Sequence, residues 1–336
     1  MLINFLKGNS LFHLLLVPLL AIVLWLPGGF AESRVLFPFE EISPMPLYGL
    51  LSSILGTSLL LQTGSGVVIL LLTALILTRI NKQYVLIETR SYYLALLLIL
   101  IVSGYTPLNR LHPSLIGSFF MSLALFRVFQ AYSTDRITTY FFDAAFLIGL
   151  GSLFYFPLIY LGPFLWISHF IIRPVQLREW LQVAVGLILP YLLAFAIAYL
   201  IDQNDALILA IRQNHHLTIG LPVIRLMPIL YYTILAIIIV PASIKMIGQL
   251  NHKKVSARKY LHVLFWLAAS SIVLSIFSSA VSFTIIPVLA IPLSFLLTNY
   301  FISIKNLFWG NMILMILILL TIGIHLEHYF LPRNLW

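Results

Sequence analysis

The sequence predicts an all-α, polytopic integral membrane protein with about eleven transmembrane helices. Of its 336 residues, 61% are hydrophobic and only 9% carry a charged side chain, whereas charged residues make up about a quarter of a typical soluble domain. Apolar stretches recur from Leu11 to Leu326, each close to the roughly 20 residues that one membrane-spanning helix needs. They are continuously apolar, unlike the alternating strands of outer-membrane barrels. An ordinary soluble fold is therefore excluded.

The apolar stretches divide the chain into eleven predicted spans within a single transmembrane domain covering 1–336. These spans are 11–27, 58–79, 91–108, 114–130, 140–155, 157–172, 180–201, 226–247, 261–281, 283–303 and 307–325. The first follows a lysine, as the core of a signal peptide does. It is long and lacks a small-x-small cleavage site, so we interpret it as a retained span.

The basic residues predict how the spans are oriented. With the N-terminus in the cytoplasm, fourteen lysines and arginines fall on the cytoplasmic side and five on the outer side, as the positive-inside rule requires. The basic loop 248–260, which contains NHKKVSARKY, is the strongest cytoplasmic anchor. We therefore expect a bacterial inner membrane protein with a cytoplasmic N-terminus and a periplasmic C-terminus. The same bias explains the net charge of +9, so no nucleic-acid partner is expected.

Two polar segments stand out on the predicted outer side, 28–57 in the first outer loop and 202–225 in the fourth. Three prolines within Pro38–Pro46 exclude a helix from the front half of the first segment. Its back half, LYGLLSSILGTS, predicts a short helix with a face of small residues. The sequence DQNDALILAIRQNHHLTIGLP predicts a second short helix. Both helices are too short to span the membrane and are expected at its interface.

Several kinds of chemistry are absent from the sequence. The chain has no cysteine, which removes disulfides, thiolate metal sites and cysteine nucleophiles. It lacks the P-loop, G-x-G-x-x-G, H-E-x-x-H and G-x-S-x-G motifs. The neighbours His215 and His216 would point about 100° apart on a helix, which is a poor arrangement for one metal ion. A divalent metal ion is the one cofactor that the sequence leaves open.

Glu40 and Glu41 are the candidate catalytic residues. They lie between prolines in the first outer segment of a chain with only ten acidic residues. A carboxyl group beside apolar surface has a raised pKa and can exchange a proton near neutral pH, which suits a general base. Two alternatives stay open: the glutamates could simply keep the loop in water, or the loop could bind a partner.

Basic side chains on the outer side are the candidate substrate-binding residues. They are Arg34, Arg110, His112, Arg212, His215 and Arg225. Guanidinium groups at the membrane interface suit a phosphate or carboxylate group, and Arg212 lies three residues before His215, so one helix face can present both. The alternative is that each arginine reaches toward lipid head groups without binding a substrate.

Asp143 is the acid that lies within a predicted span, about one turn from its cytoplasmic end. Acids inside membranes are functional candidates, but Arg127 and Arg136 are near in sequence, and we favour a structural ion pair over a proton relay.

His169 and His325 lie near the ends of spans and are interpreted as packed or interfacial residues. Pro157, Pro163, Pro287 and Pro292 break apolar runs, as transporters and lipid-handling enzymes both require.

Taken as a whole, the chain resembles a family of uncharacterised polytopic membrane proteins from Bacteroidota. The resemblance rests on the stretches LINFLKGNSLFHLLLVPLLAIVLWLP, FDAAFLIGLGSLFYFPLIYL and RPVQLREWLQVAVGLILPYLL. It covers most of the chain and implies no activity.

The arrangement of the outer segments also resembles membrane glycosyltransferases of the GT-C type. That resemblance implies a catalytic acid in the first outer loop, here Glu40 or Glu41, and a polyprenyl-phosphate donor held by Arg212, Arg225 and His215. The chain departs from that pattern in having Glu where Asp is usual, a short first loop and no large soluble domain. O-antigen polymerases and ligases are similar in using arginine and histidine on an outer loop, and the sequence IRQNHHL is compatible with them.

The sequence therefore predicts an inner-membrane enzyme of GT-C-like arrangement that acts at the outer face on a polyprenyl-phosphate-linked substrate, by glycosyl transfer. A transporter or flippase that uses the proline-broken spans as a gate and Asp143 as a proton site is the first alternative. The second is a non-catalytic membrane subunit that binds other membrane proteins through its outer loops.

Overall fold

A computed structural model describes the backbone over most of the chain. The described residues are 11–30, 44–56, 58–87, 92–133, 137–173, 177–215, 226–277, 283–304 and 307–330. They form thirteen α-helices, joined in places by short 3-10 turns, and they contain no β-strand. The helices are α1 Leu11–Phe30, α2 Pro46–Leu55, α3 Leu59–Tyr84, α4 Tyr93–Ser103, α5 Pro113–Gln130, α6 Ile137–Ser152, α7 Gly162–Ile172, α8 Leu177–Leu200, α9 Asn204–His215, α10 Leu226–Gln249, α11 Val255–Phe277, α12 Ile286–Ser303 and α13 Leu307–Phe330.

The helices confirm the predicted all-α membrane class. Every one of the eleven predicted spans overlaps a helix, and α2 and α9 are the two short helices expected in the outer segments. Among the described residues, seven helices are long and apolar enough to cross a membrane, namely α3, α5, α8, α10, α11, α12 and α13. The four other helices that overlap predicted spans are shorter in their described apolar part, so the count of eleven stays a prediction.

The outward-facing side chains are those of a protein in lipid. Helix α8 exposes Leu181, Val185, Ile188 and Leu192, each more than half accessible. A surface of contiguous large apolar side chains is unfavourable in water, and a helix satisfies its own backbone hydrogen bonds in hydrocarbon. Exposed apolar residues on α8 therefore support a membrane environment.

Helices α4 and α12 lie at the centre of the bundle. All eleven residues of α4 are buried, and α12 is buried along most of its length. At 1.5 Å per residue, α4 is only about 16 Å long, which is about half the thickness of the hydrocarbon core. The segment 104–112 that follows is not α-helical, and such backbone is tolerated at membrane depth only where protein covers it. Leu108, Asn109 and His112 of this segment are buried accordingly.

Two hydrogen bonds between distant segments identify which parts of the chain meet at each end of the bundle. The backbone N–H of Leu111 donates to the carbonyl of Gln62 over 2.9 Å, and both residues are predicted on the outer side. At the opposite end, the ammonium of Lys253 donates to the carbonyl of Leu86 over 2.8 Å, and both are predicted inside. We call these the outer end and the inner end, after their predicted sides. The orientation in the membrane itself stays a prediction.

Helix boundaries differ from the predicted ones at both ends of the bundle. At the outer end, α4 ends at Ser103 and α7 begins at Gly162, each five residues short of the predicted span. Helix α11 begins at Val255, so the second half of the predicted basic loop 248–260 is helical. Helix α8 begins at Leu177, three residues before the predicted span, and thus includes Glu179. The charged side chains in the first turns of α11 are partly exposed, so they continue that helix into the head-group region at little cost in buried charge. Glu179 is instead buried, and its ion pair with Arg173 stabilises the extension of α8.

Glycines bring α6 and α8 into close contact. A Cβ atom on Gly149 would lie 2.6 Å from the Leu187 carbonyl oxygen, and one on Gly186 would lie 2.8 Å from the Phe142 carbonyl oxygen. Small residues let membrane helices approach until their backbones touch, which is a main source of helix association in lipid. These two contacts hold α6 against α8 between Phe142 and Gly149 of α6.

Candidate functional site

The structure describes four of the eight residues that the sequence proposes for the site. Arg110 and His112 lie in the segment 104–112, and Arg212 and His215 lie on α9. The other four, Glu40, Glu41, Arg34 and Arg225, fall outside the described residues. The catalytic role of the glutamates therefore stays a prediction. The structure gives the positions of the four basic residues that are expected to bind the substrate beside them.

The segment that carries Arg110 and His112 is held in place at the outer end. Its Leu111 accepts a hydrogen bond from the Tyr48 hydroxyl of α2 over 3.0 Å. The backbone of Arg110 lies directly on Gly66 of α3, where a Cβ atom would meet the Arg110 carbonyl carbon at 2.9 Å. The position of Arg110 is thus fixed by backbone contacts, while its side chain remains partly exposed.

His112 caps the N-terminus of α5. Its Nδ1 accepts a hydrogen bond from the Ser114 N–H over 3.2 Å, and the Ser114 hydroxyl lies 2.7 Å from the same nitrogen. An N–H donor to Nδ1 places the ring proton of the neutral histidine on Nε2. Burial lowers the pKa of His112 to about 3, because desolvation disfavours the imidazolium ion. His112 is therefore a neutral Nε2–H donor at pH 7 and contributes no positive charge to the site.

Asn109 and His325 form a buried pair beside Arg110. The Asn109 amide lies 2.7 Å from His325 Nε2, and His325 Nδ1 lies 2.7 Å from the Thr321 carbonyl oxygen. Since a carbonyl only accepts, Nδ1 carries the proton and Nε2 accepts from the amide. The Asn109 side-chain oxygen has no hydrogen-bond partner although it is buried, and such orphans mark candidate positions for a bound polar group. Sequence reasoning missed this pair because 216 residues separate its members.

Arg212 and His215 are positioned by a sharp corner between α8 and α9. Asp202 has φ of 56°, and the Gln203 N–H donates to the Ala198 carbonyl over 2.8 Å, which is the six-to-one bond of a Schellman cap. The corner turns α9 back onto the bundle. The His215 ring stacks on Phe156 with centroids 6.3 Å apart, and the Arg212 side chain is exposed.

A small apolar cluster joins the two outer segments. Its buried members are Met45, Leu153 and Phe156, and among the side chains that pack on it are Leu47 of α2 and Ile211 of α9. The Leu47 N–H also donates to the Leu153 carbonyl over 3.3 Å. Because Tyr48 of α2 reaches the segment 104–112, α2 connects that segment to α9. We call this group, namely α2, segment 104–112 and α9, the outer-end site.

The inner end holds a buried ionic cluster that sequence reasoning did not assemble. Glu179 of α8 is only 3% exposed; it forms an ion pair with Arg173, and its Oε2 lies 3.2 Å from His169 Nε2. The His169 ring is fully buried and stacks on Phe141 with centroids 4.2 Å apart. The sequence does contain a signal for this cluster, namely the short connection between α7 and α8. A short turn places residues near the end of one helix, such as His169, beside residues at the start of the next, such as Glu179.

Asp143 makes the ion pair that the sequence favours. Its Oδ2 lies 3.7 Å from Arg127 Nε, and both side chains are more than a third exposed. Such an exposed pair contributes little to stability because solvent screens it. Among the described residues, no group of three His, Asp or Glu side chains is placed to hold a metal ion.

Neutralising Asp143 is therefore expected to have a small effect. Asp143→Asn should change the free energy of unfolding by less than about 1 kcal/mol, as for other exposed ion pairs. Unfolding in mixed detergent micelles, followed by tryptophan fluorescence, measures this change. Arg127→Gln should give a similar small value. A loss of several kcal/mol in either variant would contradict this interpretation of the pair.

Comparison with known proteins gives one match. The model of a family described as "Family of unknown function (DUF6427)" matches residues 47–330 of the chain. No curated protein and no solved structure matches it significantly. The expected resemblance to a family without an assigned activity is thereby confirmed, whereas the resemblance to GT-C glycosyltransferases stays a hypothesis.

Proposed function

Because the chain belongs to this family of unknown function, its activity must be inferred from its own side chains, and we propose that it is a membrane enzyme whose outer-end site acts on a polyprenyl-phosphate-linked substrate. The reaction that we propose is glycosyl transfer, with the protein in the bacterial inner membrane and the outer end facing the periplasm. A GT-C-like arrangement of its helices is part of the same proposal.

The observation that carries the proposal is the convergence of two distant outer segments on α2. Arg110 and Arg212 lie at the same end of the bundle, on supports that share the helix α2. Glu41 is four residues from Met45, which is buried in the shared apolar cluster. Four residues span at most about 14 Å. Arg110 and Arg212 thus lie at one end of the bundle, and the proposal places the predicted base at the same end.

In the proposed reaction, Glu40 or Glu41 takes the proton from a hydroxyl group of the acceptor. The acceptor oxygen then forms a bond to the anomeric carbon of the sugar, and the bond from that carbon to the phosphate oxygen breaks. The polyprenyl phosphate leaves with the electron pair. Arginine side chains such as Arg110 and Arg212 stabilise the negative charge that develops on the phosphate.

The experiment measures release of polyprenyl phosphate from a polyprenyl-phosphate-linked sugar by the purified full-length protein, in the presence of a bacterial cell-envelope extract that supplies acceptor hydroxyl groups. Polyprenyl phosphate is the leaving group whichever acceptor in the extract is used. Replacing the base residue by glutamine should lower the rate by about 10²- to 10⁴-fold, the usual contribution of a general base. Glu40→Gln and Glu41→Gln are made separately, since the proposal requires only one of them to be the base.

Asp202→Asn is the matched control, because Asp202 is an exposed acid at the same end that precedes α9 and lies outside the outer-end site. It should leave the rate unchanged. The proposal is wrong if the folded wild-type protein releases no polyprenyl phosphate, or if both glutamine variants keep full activity.

One observation favours a transporter or flippase as a second candidate. Proline interrupts α8, α10 and α12 at Pro190, Pro241 and Pro292, and the buried acid Glu179 lies at the start of α8. Ionisable residues buried inside membranes serve as proton sites in transporters. In this candidate Glu179 replaces Asp143 as the proton site, because Glu179 is buried whereas Asp143 is more than a third exposed. Proton-dependent solute uptake into proteoliposomes that Glu179→Gln abolishes would support it.

A further inference from the structure

A groove opens between the inner ends of α6 and α8. Its volume is about 460 Å³, and it is lined by Thr139, Phe142, Arg178, Leu181, Gln182 and Val185. The first two residues belong to α6 and the other four to α8. None of them belongs to the outer-end site, which lies at the opposite end of the bundle.

We propose that this groove binds an anionic phospholipid of the surrounding bilayer, with the lipid phosphate on Arg178, a head-group hydroxyl on Gln182 and an acyl chain along Phe142, Leu181 and Val185. The proposal concerns a site separate from the proposed enzymatic reaction, and it holds whether or not that reaction occurs.

The packing of α6 on α8 explains why the groove is there. The helices run in the same direction, and close contacts at Gly149 and Gly186 hold them together. The contact nearest the inner end joins Gly186 to the Phe142 carbonyl oxygen. Closer to the inner end, Thr139 of α6 and Arg178 and Gln182 of α8 line the groove. The groove therefore begins where the close glycine contacts end, at the depth where the head groups of the inner leaflet are expected.

The polar side of the groove suits a phosphate with a neighbouring hydroxyl. Arg178 is exposed, and none of the described carboxylates lies within ion-pair distance of it. The side-chain oxygen of Gln182 is buried and has no hydrogen-bond partner. A guanidinium group binds a phosphate with two parallel hydrogen bonds, and a buried orphan acceptor gains most from a new donor. A head group that offers both a phosphate and a hydroxyl, such as phosphatidylglycerol, satisfies both groups.

The apolar side of the groove indicates a lipid instead of a soluble phosphate. Leu181 is 60% exposed and Val185 is 54% exposed, and they continue from Arg178 towards the middle of α8. A soluble anion would gain nothing from these side chains, whereas an acyl chain would lie along them. Basic residues on the cytoplasmic side of membrane helices attract anionic lipids, which agrees with the predicted orientation of this end.

The test measures lipid binding to the full-length protein by native mass spectrometry, with phosphatidylglycerol as the probe and phosphatidylcholine as the neutral reference. Arg178→Gln should weaken phosphatidylglycerol binding about tenfold, which is the loss expected for a charge-assisted contact. It should leave the weak binding of phosphatidylcholine unchanged. Val185→Trp, which fills the groove without changing its charge, should also lower phosphatidylglycerol binding.

Lys82→Gln is the matched control, because Lys82 is an exposed basic residue at the inner end, in the last turn of α3. It should bind phosphatidylglycerol as the wild type does. Equal losses in the Lys82 and Arg178 variants would mean that only general basic charge attracts the lipid, and the proposed site would be wrong. Unchanged binding in Arg178→Gln and Val185→Trp would overturn it as well.

Discussion

Replacing Gly149 by alanine is expected to destabilise the protein by about 3 kcal/mol, and replacing it by leucine is expected to prevent folding. The added Cβ atom would lie 2.6 Å from the Leu187 carbonyl oxygen and 3.0 Å from Pro190 Cγ. Neither group can turn aside as a flexible side chain does, because one is backbone and the other is a proline ring. Inserting even one methyl group into such a contact costs about 1–3 kcal/mol, and α6 and α8 would have to separate to relieve it.

The measurement is the thermal unfolding midpoint of the purified protein in detergent, together with the fraction that elutes as a single species in size-exclusion chromatography. Gly64→Ala is the matched control, since Gly64 lies within α3 and a Cβ atom there meets nothing within 4 Å. Alanine has a higher helix propensity than glycine by about 1 kcal/mol, so this control should be neutral or slightly stabilising. A neutral result for Gly149→Ala would show that α6 and α8 are not in backbone contact.

Gly149 also shows what the sequence could and could not predict. The apolar run that contains it predicts a helix at 140–155, and the structure confirms one at Ile137–Ser152. Nothing in that run indicates which other helix lies against the glycine. Long apolar helices are specified by local composition, whereas their pairing depends on surface shape that only the assembled bundle has.

The outer-end site illustrates the same division. The two short helices α2 and α9 are predicted correctly, because prolines, glycines and polar residues delimit them in the sequence. The contacts that join them are not, because they consist of Met45 and Ile211 packing on Leu153 and Phe156, side chains that look like ordinary apolar residues in the sequence. His325 is another example, since its role follows from the Asn109 amide brought to it by the fold.

Removing the carboxylate of Glu179 is expected to cost about 1.5–3 kcal/mol of unfolding free energy, the range for a hydrogen bond to a charged group. Glu179 pairs with Arg173 and lies beside the fully buried His169. Glu179→Ala leaves a guanidinium group that has lost its counter-ion and a buried imidazole beside an empty space. This loss exceeds the less than about 1 kcal/mol expected for the exposed pair of Asp143 and Arg127, because Glu179 is buried. It stays below the cost of breaking a fully buried pair, because the partly exposed Arg173 can regain water.

A double-mutant cycle separates the pair from the general effects of truncation. Unfolding free energies are measured for Glu179→Ala, Arg173→Ala and the double variant in the same detergent mixture. If the pair is as the structure describes it, the double variant loses less stability than the two single variants together, because removing Arg173 also removes the charge that Glu179→Ala leaves unpaired. Strictly additive losses would mean that Glu179 and Arg173 do not interact.

Glu179 is also the proton site of the transporter candidate, and the isosteric Glu179→Gln distinguishes the two roles. If Glu179 is purely structural, the substitution changes only stability. If Glu179 is a proton site, the substitution also changes the pH dependence of uptake.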